Sequence, residues 1–204
     1  MASEPRTTWF DLIRHGEPEG GPMFRGSKDD PLSALGWEQM RAAIHKGEPW
    51  DCVLTSPLVR CRQFAQTLAR DREIPLHTDA RLREIGFGAW EGLTADIIQA
   101  EYGQERLAAF WADADNNPPP GGERFSDFQV RIHDAWEHWS DRLSGQRVLL
   151  VCHGGVIRTL LGHVMGIRPD RVLSAISVPY ACRSRVRLDH SEYGTLSCLV
   201  SHGS

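Results

Sequence analysis

The chain has little that would tie it to a membrane, a structural metal or a nucleic acid. No stretch approaches the roughly 18 consecutive apolar residues of a membrane span. Met1 to Thr8 is polar and Trp9 to Ile13 is too short for a signal-peptide core, so the cytoplasm is the expected address. Cysteine is sparse. Cys52, Cys61, Cys152, Cys182 and Cys198 are odd in number, include no CxxC pair and sit mostly among apolar residues. That pattern argues against a disulfide framework or a zinc module and reads as free thiols in a reducing compartment. The formal net charge of -4 offers no general attraction to nucleic acid or to an anionic membrane. Any basic site must therefore be local. Tandem repeats and low-complexity linkers are also missing.

What is present is ordinary for a globular protein: 204 residues, 41% hydrophobic and 25% charged. That length allows one core of useful size, and a single domain over 1–204 is the simplest reading, with tails at about 1–7 and 200–204. Strand and helix signals alternate. Trp9 to Arg14, Asp51 to Ser56, Pro75 to Thr78 and Arg147 to Gly155 read as strands. Helical spacing covers Ser33 to Lys46, with Ser33 as N-cap, and the segment from Pro57 that places Cys61, Phe64, Ala65 and Leu68 on one face. Further helices are predicted over Ala95 to Asp115, over Arg124 to Leu143 and after Gly155. "NNPPPGGE" is a surface loop, and the C-terminal segment reads as two strands around "SEYG". The expected fold class is α/β, a three-layer α/β/α sandwich over a mainly parallel central sheet.

Two segments echo one another. "LIRHGE" and "LVCHGG" both place His-Gly just after an apolar strand, at a turn toward a helix. Ligands of open α/β sheets bind outside the carboxyl ends of strands, so His15 and His153 can share one pocket. A glycine lets the backbone approach a ligand closely, and a following helix offers N–H groups to an anion. A single His-Gly would more simply cap its strand; two in the same setting favour the pocket. "TSPLVRCRQFA" adds Arg60 and Arg62 at the start of a helix, where a cation opposes the dipole unless an anion is bound. A solvated helix face suits Arg62 better than Arg60. In "RLREIGFGAWEG", Glu84 lies among apolar residues, a setting for general-acid work, or else it pairs with Arg81 or Arg83.

Taken in order, "LIRHGE", "TSPLVRCRQFA", "LREIGFGAWEG", "PPGGE" and "VLLVCHGG" resemble the histidine phosphatase superfamily, the fold shared by cofactor-dependent phosphoglycerate mutases and many small phosphatases. The resemblance runs from Trp9 to about Cys198 and implies a phosphoglycerate mutase-like fold. It implies that His15 is the nucleophile that takes the phosphoryl group and that Glu84 protonates the leaving oxygen. Arg14, Arg60 and His153 would clamp the phosphate, with Gly154 and Arg25 also in contact with it. No metal and no other cofactor is implied, because Arg and His supply the positive charge.

The chain departs from the family where Pro18, Glu19, Gly20 and Gly21 replace a segment that often carries a phosphate-binding asparagine; Phe64 and Arg124 replace a common threonine and serine. Motif details look most like α-ribazole phosphatases of cobalamin biosynthesis, and also like broad-specificity bacterial phosphatases acting on sugar or amino-acid phosphates. The compact interval before the second His-Gly suits a phosphatase better than a phosphoglycerate mutase. The expected partner is a small phosphorylated metabolite, not nucleic acid or membrane, and a homodimer stays open. Phe24, Phe87 and Trp90 either stack on a base or pack in the core, with core favoured for Trp90. Two other classes remain: a metal-dependent hydrolase with His15, Glu17 and His153 as ligands, and a non-catalytic phosphate-ester sensor.

Overall fold

The computed structural model describes residues 6–203. Among them are six strands: β1 (Arg6–Arg14), β2 (Cys52–Thr55), β3 (Leu76–Thr78), β4 (Arg147–Cys152), β5 (Arg183–Ser191) and β6 (Gly194–His202). The helices are α1 (Ala34–Ala42), α2 (Val59–Arg72), α3 (Ala95–Tyr102), α4 (Gln104–Ala112), α5 (Phe125–Arg142), α6 (Gly154–Met165) and the short α7 (Val172–Ala175). The strands form one sheet in the order β3-β2-β4-β1-β5-β6. β1 to β4 pair in parallel, and β5 and β6 add an antiparallel edge. The expected three-layer, phosphoglycerate mutase-like α/β fold is what forms.

Alternation along the central strands builds the layers. Phe10 and Leu12 of β1, with Val148, Leu150 and Cys152 of β4, face one core, which also buries Trp90, Phe128, Ile132 and Leu160. Ile13, Leu149 and Val151 face the other, against Met40, Phe64 and Ala65 of α1 and α2. Both faces of the central pair are covered, so the sequences read as continuous apolar runs. Trp90 is fully buried, as expected. Phe24 sides with it, edge-on to Phe87 at 5.1 Å and to Trp90 at 5.7 Å.

Several boundaries differ from the sequence reading. The helix expected over Ala95 to Asp115 is two helices, because Gly103 takes a left-handed φ of 88° and ends α3 where α4 begins. α1 stops at Ala42, and the turn after it is tied by the Glu48 carboxylate, which accepts from the His45 N–H. Pro57 precedes α2 rather than opening it, and Asp29 from a distant loop accepts from the Val59 N–H. Arg6 and Thr7 belong to β1, and Val200 to His202 belong to β6, where tails were expected. His202 is held at both ring nitrogens, by Ser184 Oγ at 2.7 Å and the Ser177 carbonyl at 2.8 Å.

Candidate active site

Parallel pairing sets β1 beside β4 with Arg14 opposite Cys152, so the next residues of the two strand ends, His15 and His153, emerge side by side. Their ring centroids are 5.2 Å apart, edge to face. Both rings are buried. Burial, reinforced by the nearby Arg60 and Arg14 guanidinium groups, holds both imidazoles well below the ordinary histidine range and keeps them neutral. His15 Nδ1 lies 2.8 Å from the Gly16 carbonyl. A carbonyl only accepts, so Nδ1 carries the proton and the lone pair is on Nε2. His153 is held differently. Its Nε2 lies 2.8 Å from Ser56 Oγ, and the Cys61 sulfur rests against the ring, 3.6 and 3.8 Å from its nitrogens.

Two arginines reach the same place, Arg14 from the end of β1 and Arg60 from the first turn of α2. Arg14 donates from Nη1 to the Val178 carbonyl at 2.7 Å and stacks over Tyr180 at 4.2 Å, and its Nε is buried without a partner. Tyr180 also flanks His15, with centroids 5.8 Å apart. Arg60 is fully buried and bonds the Lys28 and Gly26 carbonyls at 2.8 and 2.9 Å, again leaving Nε without a partner. A buried N–H with no acceptor costs roughly 1–3 kcal/mol, so two such groups beside a pair of neutral imidazoles make a site suited to an anion.

Glu84 closes the other side. Its Oε2 accepts from the Gly155 N–H at 3.0 Å and its Oε1 from the Ile85 N–H at 3.1 Å. The pairing with Arg81 or Arg83 weighed above does not form: Arg81 holds Asp79, and Arg83 donates to the Ala80 carbonyl. The backbone of Glu84 is instead pinned by Arg131, which donates to the Arg83 and Glu84 carbonyls and pairs with Glu123 of "PPGGE". Gly155 is required here, because a β-carbon on it would stand 2.3 Å from Glu84 Oε1. The neighbouring Gly154 N–H, at the first turn of α6, has no partner among the described residues.

Arg25 departs from its expected role. It is buried, but its guanidinium is committed to its own loop: to Asp30 at 2.7 Å, to the Gly21 carbonyl at 2.7 Å and to the Glu19 carbonyl. It braces the loop that contains Pro18 to Gly21 rather than offering an open contact to phosphate. Gly16 also differs, since the atom nearest its missing β-carbon is the Gly36 carbonyl oxygen of α1, at 2.2 Å. It makes room for a helix, not for a ligand. Among the described residues, no group of three or more His, Cys, Asp or Glu is placed to hold a metal ion, and no helix is long and apolar enough to cross a membrane. The sequence reading missed Ser56 as the partner of His153, and Tyr180 under Arg14. Only the strand-end position of Ser56 gave any signal; Tyr180 has none in its local sequence.

Residues 10–199, which contain these strand-end histidines, both arginines and Glu84, match the model of the histidine phosphatase superfamily (branch 1). The chain belongs to that superfamily. Its members are phosphatases or mutases, and both kinds occur among the relatives. The adenosylcobalamin/alpha-ribazole phosphatase of Escherichia coli (strain K12) is 30% identical over 196 residues, 93% of this chain and 94% of that protein. The 2,3-bisphosphoglycerate-dependent phosphoglycerate mutase of Rhizobium etli is 30% identical over 161 residues, 73% and 76% of the two chains. The crystal structure of the alpha-ribazole phosphatase from Shigella flexneri superposes with a TM-score of 0.81 at 27% identity, covering 96% of each chain. The pocket of this histidine phosphatase lies at the carboxyl ends of the parallel strands β1 and β4, where open α/β sheets bind their ligands.

Proposed function

We propose that this histidine phosphatase is a phosphomonoesterase working through a phosphohistidine on His15. The observation that carries the reading is the His15 ring: neutral, with Nδ1–H on the Gly16 carbonyl and a free lone pair on Nε2. Nε2 attacks phosphorus as the ester P–O bond breaks, and the Glu84 carboxyl gives its proton to the departing oxygen. Water then attacks phosphorus, Glu84 takes the proton, the P–N bond breaks and inorganic phosphate leaves. Arg14, Arg60, His153 and the Gly154 N–H hold the phosphoryl oxygens through this in-line exchange. Arg25 serves one step away, by bracing the loop whose carbonyls hold Arg60. No step calls for a metal, since the guanidinium groups supply the positive charge.

The substrate is a small phosphorylated metabolite, and α-ribazole 5′-phosphate is the first to test, because a relative at 30% identity is named for it. The setting is the cytoplasm, a reading supported by five unpaired thiols. The deciding experiment is a rapid quench with a radiolabelled phosphomonoester. Acid-labile, alkali-stable phosphate should appear on His15, with turnover unchanged after chelation. Steady hydrolysis by His15→Ala, or loss of activity with chelator, would refute the mechanism. A product assay with phosphoglycerate separates phosphatase from mutase by release of inorganic phosphate.

A further inference from the structure

The two edges of the sheet are protected unequally. β3 at one edge has three residues, whereas β6 at the other has nine. No strand covers the outer side of β6 among the described residues. Native sheets blunt such edges with charge, proline or short length. β6 has none of these, since Gly194 to His202 contains no Lys, Arg, Asp, Glu or Pro. Leu196 and Val200 stand out from it instead, 74% and 48% exposed. Glu192 and Tyr193 form a two-residue loop closed by Ser191 opposite Gly194. Alternation from that pair turns the backbone groups of Ser197 and Leu199 away from β5, toward solvent.

A second observation lies where β6 ends. Leu161, Met165, Leu199, His202 and Gly203 line a mostly apolar groove of about 500 Å³ between β6 and α6. Tyr193, at the opposite end of the strand, is 92% exposed. Antiparallel pairing of β6 with its own copy brings the two together. Full overlap of the strand with itself puts its midpoint, Cys198, on the two-fold axis. Leu196 then faces the partner's Val200, and the partner's Tyr193 comes level with Gly203 at the mouth of the groove. No charged side chain of the strand meets its like across the axis. We propose that β6 is the contact between two copies of this chain, paired antiparallel about Cys198, with Tyr193 of each copy seated in the groove of the other. A strand of another protein would pair with the edge yet leave the groove without its tyrosine. The contact also reaches toward the catalytic pocket. His202 binds the Ser177 carbonyl, and the carbonyls on either side, of Ile176 and Val178, hold Arg158 and Arg14.

The test is sedimentation velocity on the wild type, Leu196→Lys and Tyr193→Ala, with circular dichroism to report folding. The wild type should be a dimer and Leu196→Lys a folded monomer, while Tyr193→Ala should weaken the dimer about tenfold or more in Kd. Cys198 is the exposed thiol; the other four are buried. Facing residues of a non-hydrogen-bonded pair stand about 4.5 Å apart at Cα, within disulfide range. Added diamide should therefore oxidise two Cys198 thiols to one intermolecular disulfide, taking up their two hydrogens, and Cys198→Ser should lose that product while keeping the dimer. A wild type that stays monomeric up to roughly 100 μM overturns the proposal. So does a dimer that withstands the substitutions, or one whose Cys198 does not cross-link, since another face or register then makes the contact. If Leu196→Lys does not fold, Tyr193→Ala at the loop tip decides by the same standard.

Discussion

The two His-Gly strand ends look alike in sequence and are used differently. His15 turns its Nδ1 to the backbone of the next residue, which frees Nε2, whereas His153 engages Ser56 through Nε2 and lies against Cys61. Their glycines diverge as well. Gly16 admits the backbone of α1 at Gly36, whereas the second pair, Gly154 and Gly155, opens space for two arginines and for Glu84. In the proposed mechanism one strand end attacks and the other holds. A shared dipeptide therefore fixes where a group stands, and its neighbours in space fix which atom is available.

The largest effects should separate the two histidines. His15→Ala should lower turnover by at least roughly 10⁴-fold and erase the phosphoenzyme, whereas His153→Ala should slow its formation yet leave the label on His15. Label retained in His15→Ala and lost in His153→Ala would invert the comparison. Next, Gly155→Ala drives a β-carbon into Glu84 and should reduce kcat by roughly 10²-fold, the scale of a misplaced general acid, in a chain that still folds. Its counterpart, Gly16→Ala, should act on stability, costing about 2 kcal/mol in a denaturant titration through overpacking against α1. If instead Gly16→Ala were stable but inactive, Gly16 would be a ligand-facing residue after all.

Acidification offers a subtler probe. Both imidazoles are held below their ordinary value in the folded chain, so below about pH 6.5 the unfolded chain takes up protons that the folded one refuses. Nothing is lost above that pH. Stability should fall as the pH drops from there toward the folded-state values, by up to roughly 1.4 kcal/mol per pH unit for each ring. Thermal melts of His153→Asn across pH 5 to 7 should show a shallower slope, and an unchanged slope would mean that His153 titrates normally. Least of all, Ser56→Ala removes the hydroxyl that holds His153 and should lower kcat/KM about fivefold, the scale of one neutral hydrogen bond. A change in labelling stoichiometry on His15 would contradict the division of labour between the rings.

The central strands were readable because burial on both faces demands apolar runs: "VLLVC" is continuous, and "WFDLI" is broken only by Asp11, which pairs with Arg185. Five ordered motifs were likewise enough to expect His15, Arg14, Arg60, Glu84 and His153 in one place. Arg25 was not readable in the same way. Its family-like position said nothing about Asp30 and two loop carbonyls, which saturate its fork through contacts four to six residues away. The break at Gly103 was missed because apolar spacing continues through it, and a left-handed backbone leaves no mark on periodicity. Tyr180 and Ile176 carry no signal of their own, since each matters only for the arginine that folding brings to it.

The sequence by itself determined the layered α/β architecture and which candidate site residues stand at the strand ends, because alternation, strand-end His-Gly and ordered motifs are local properties of the chain. Tertiary structure alone decided which nitrogen of each histidine is free, which arginines keep an unsatisfied N–H, and that Arg158 stands beside Arg14. Those outcomes depend on donors and acceptors from segments far apart in the chain, paired by a sheet register and a helix packing that no single stretch encodes.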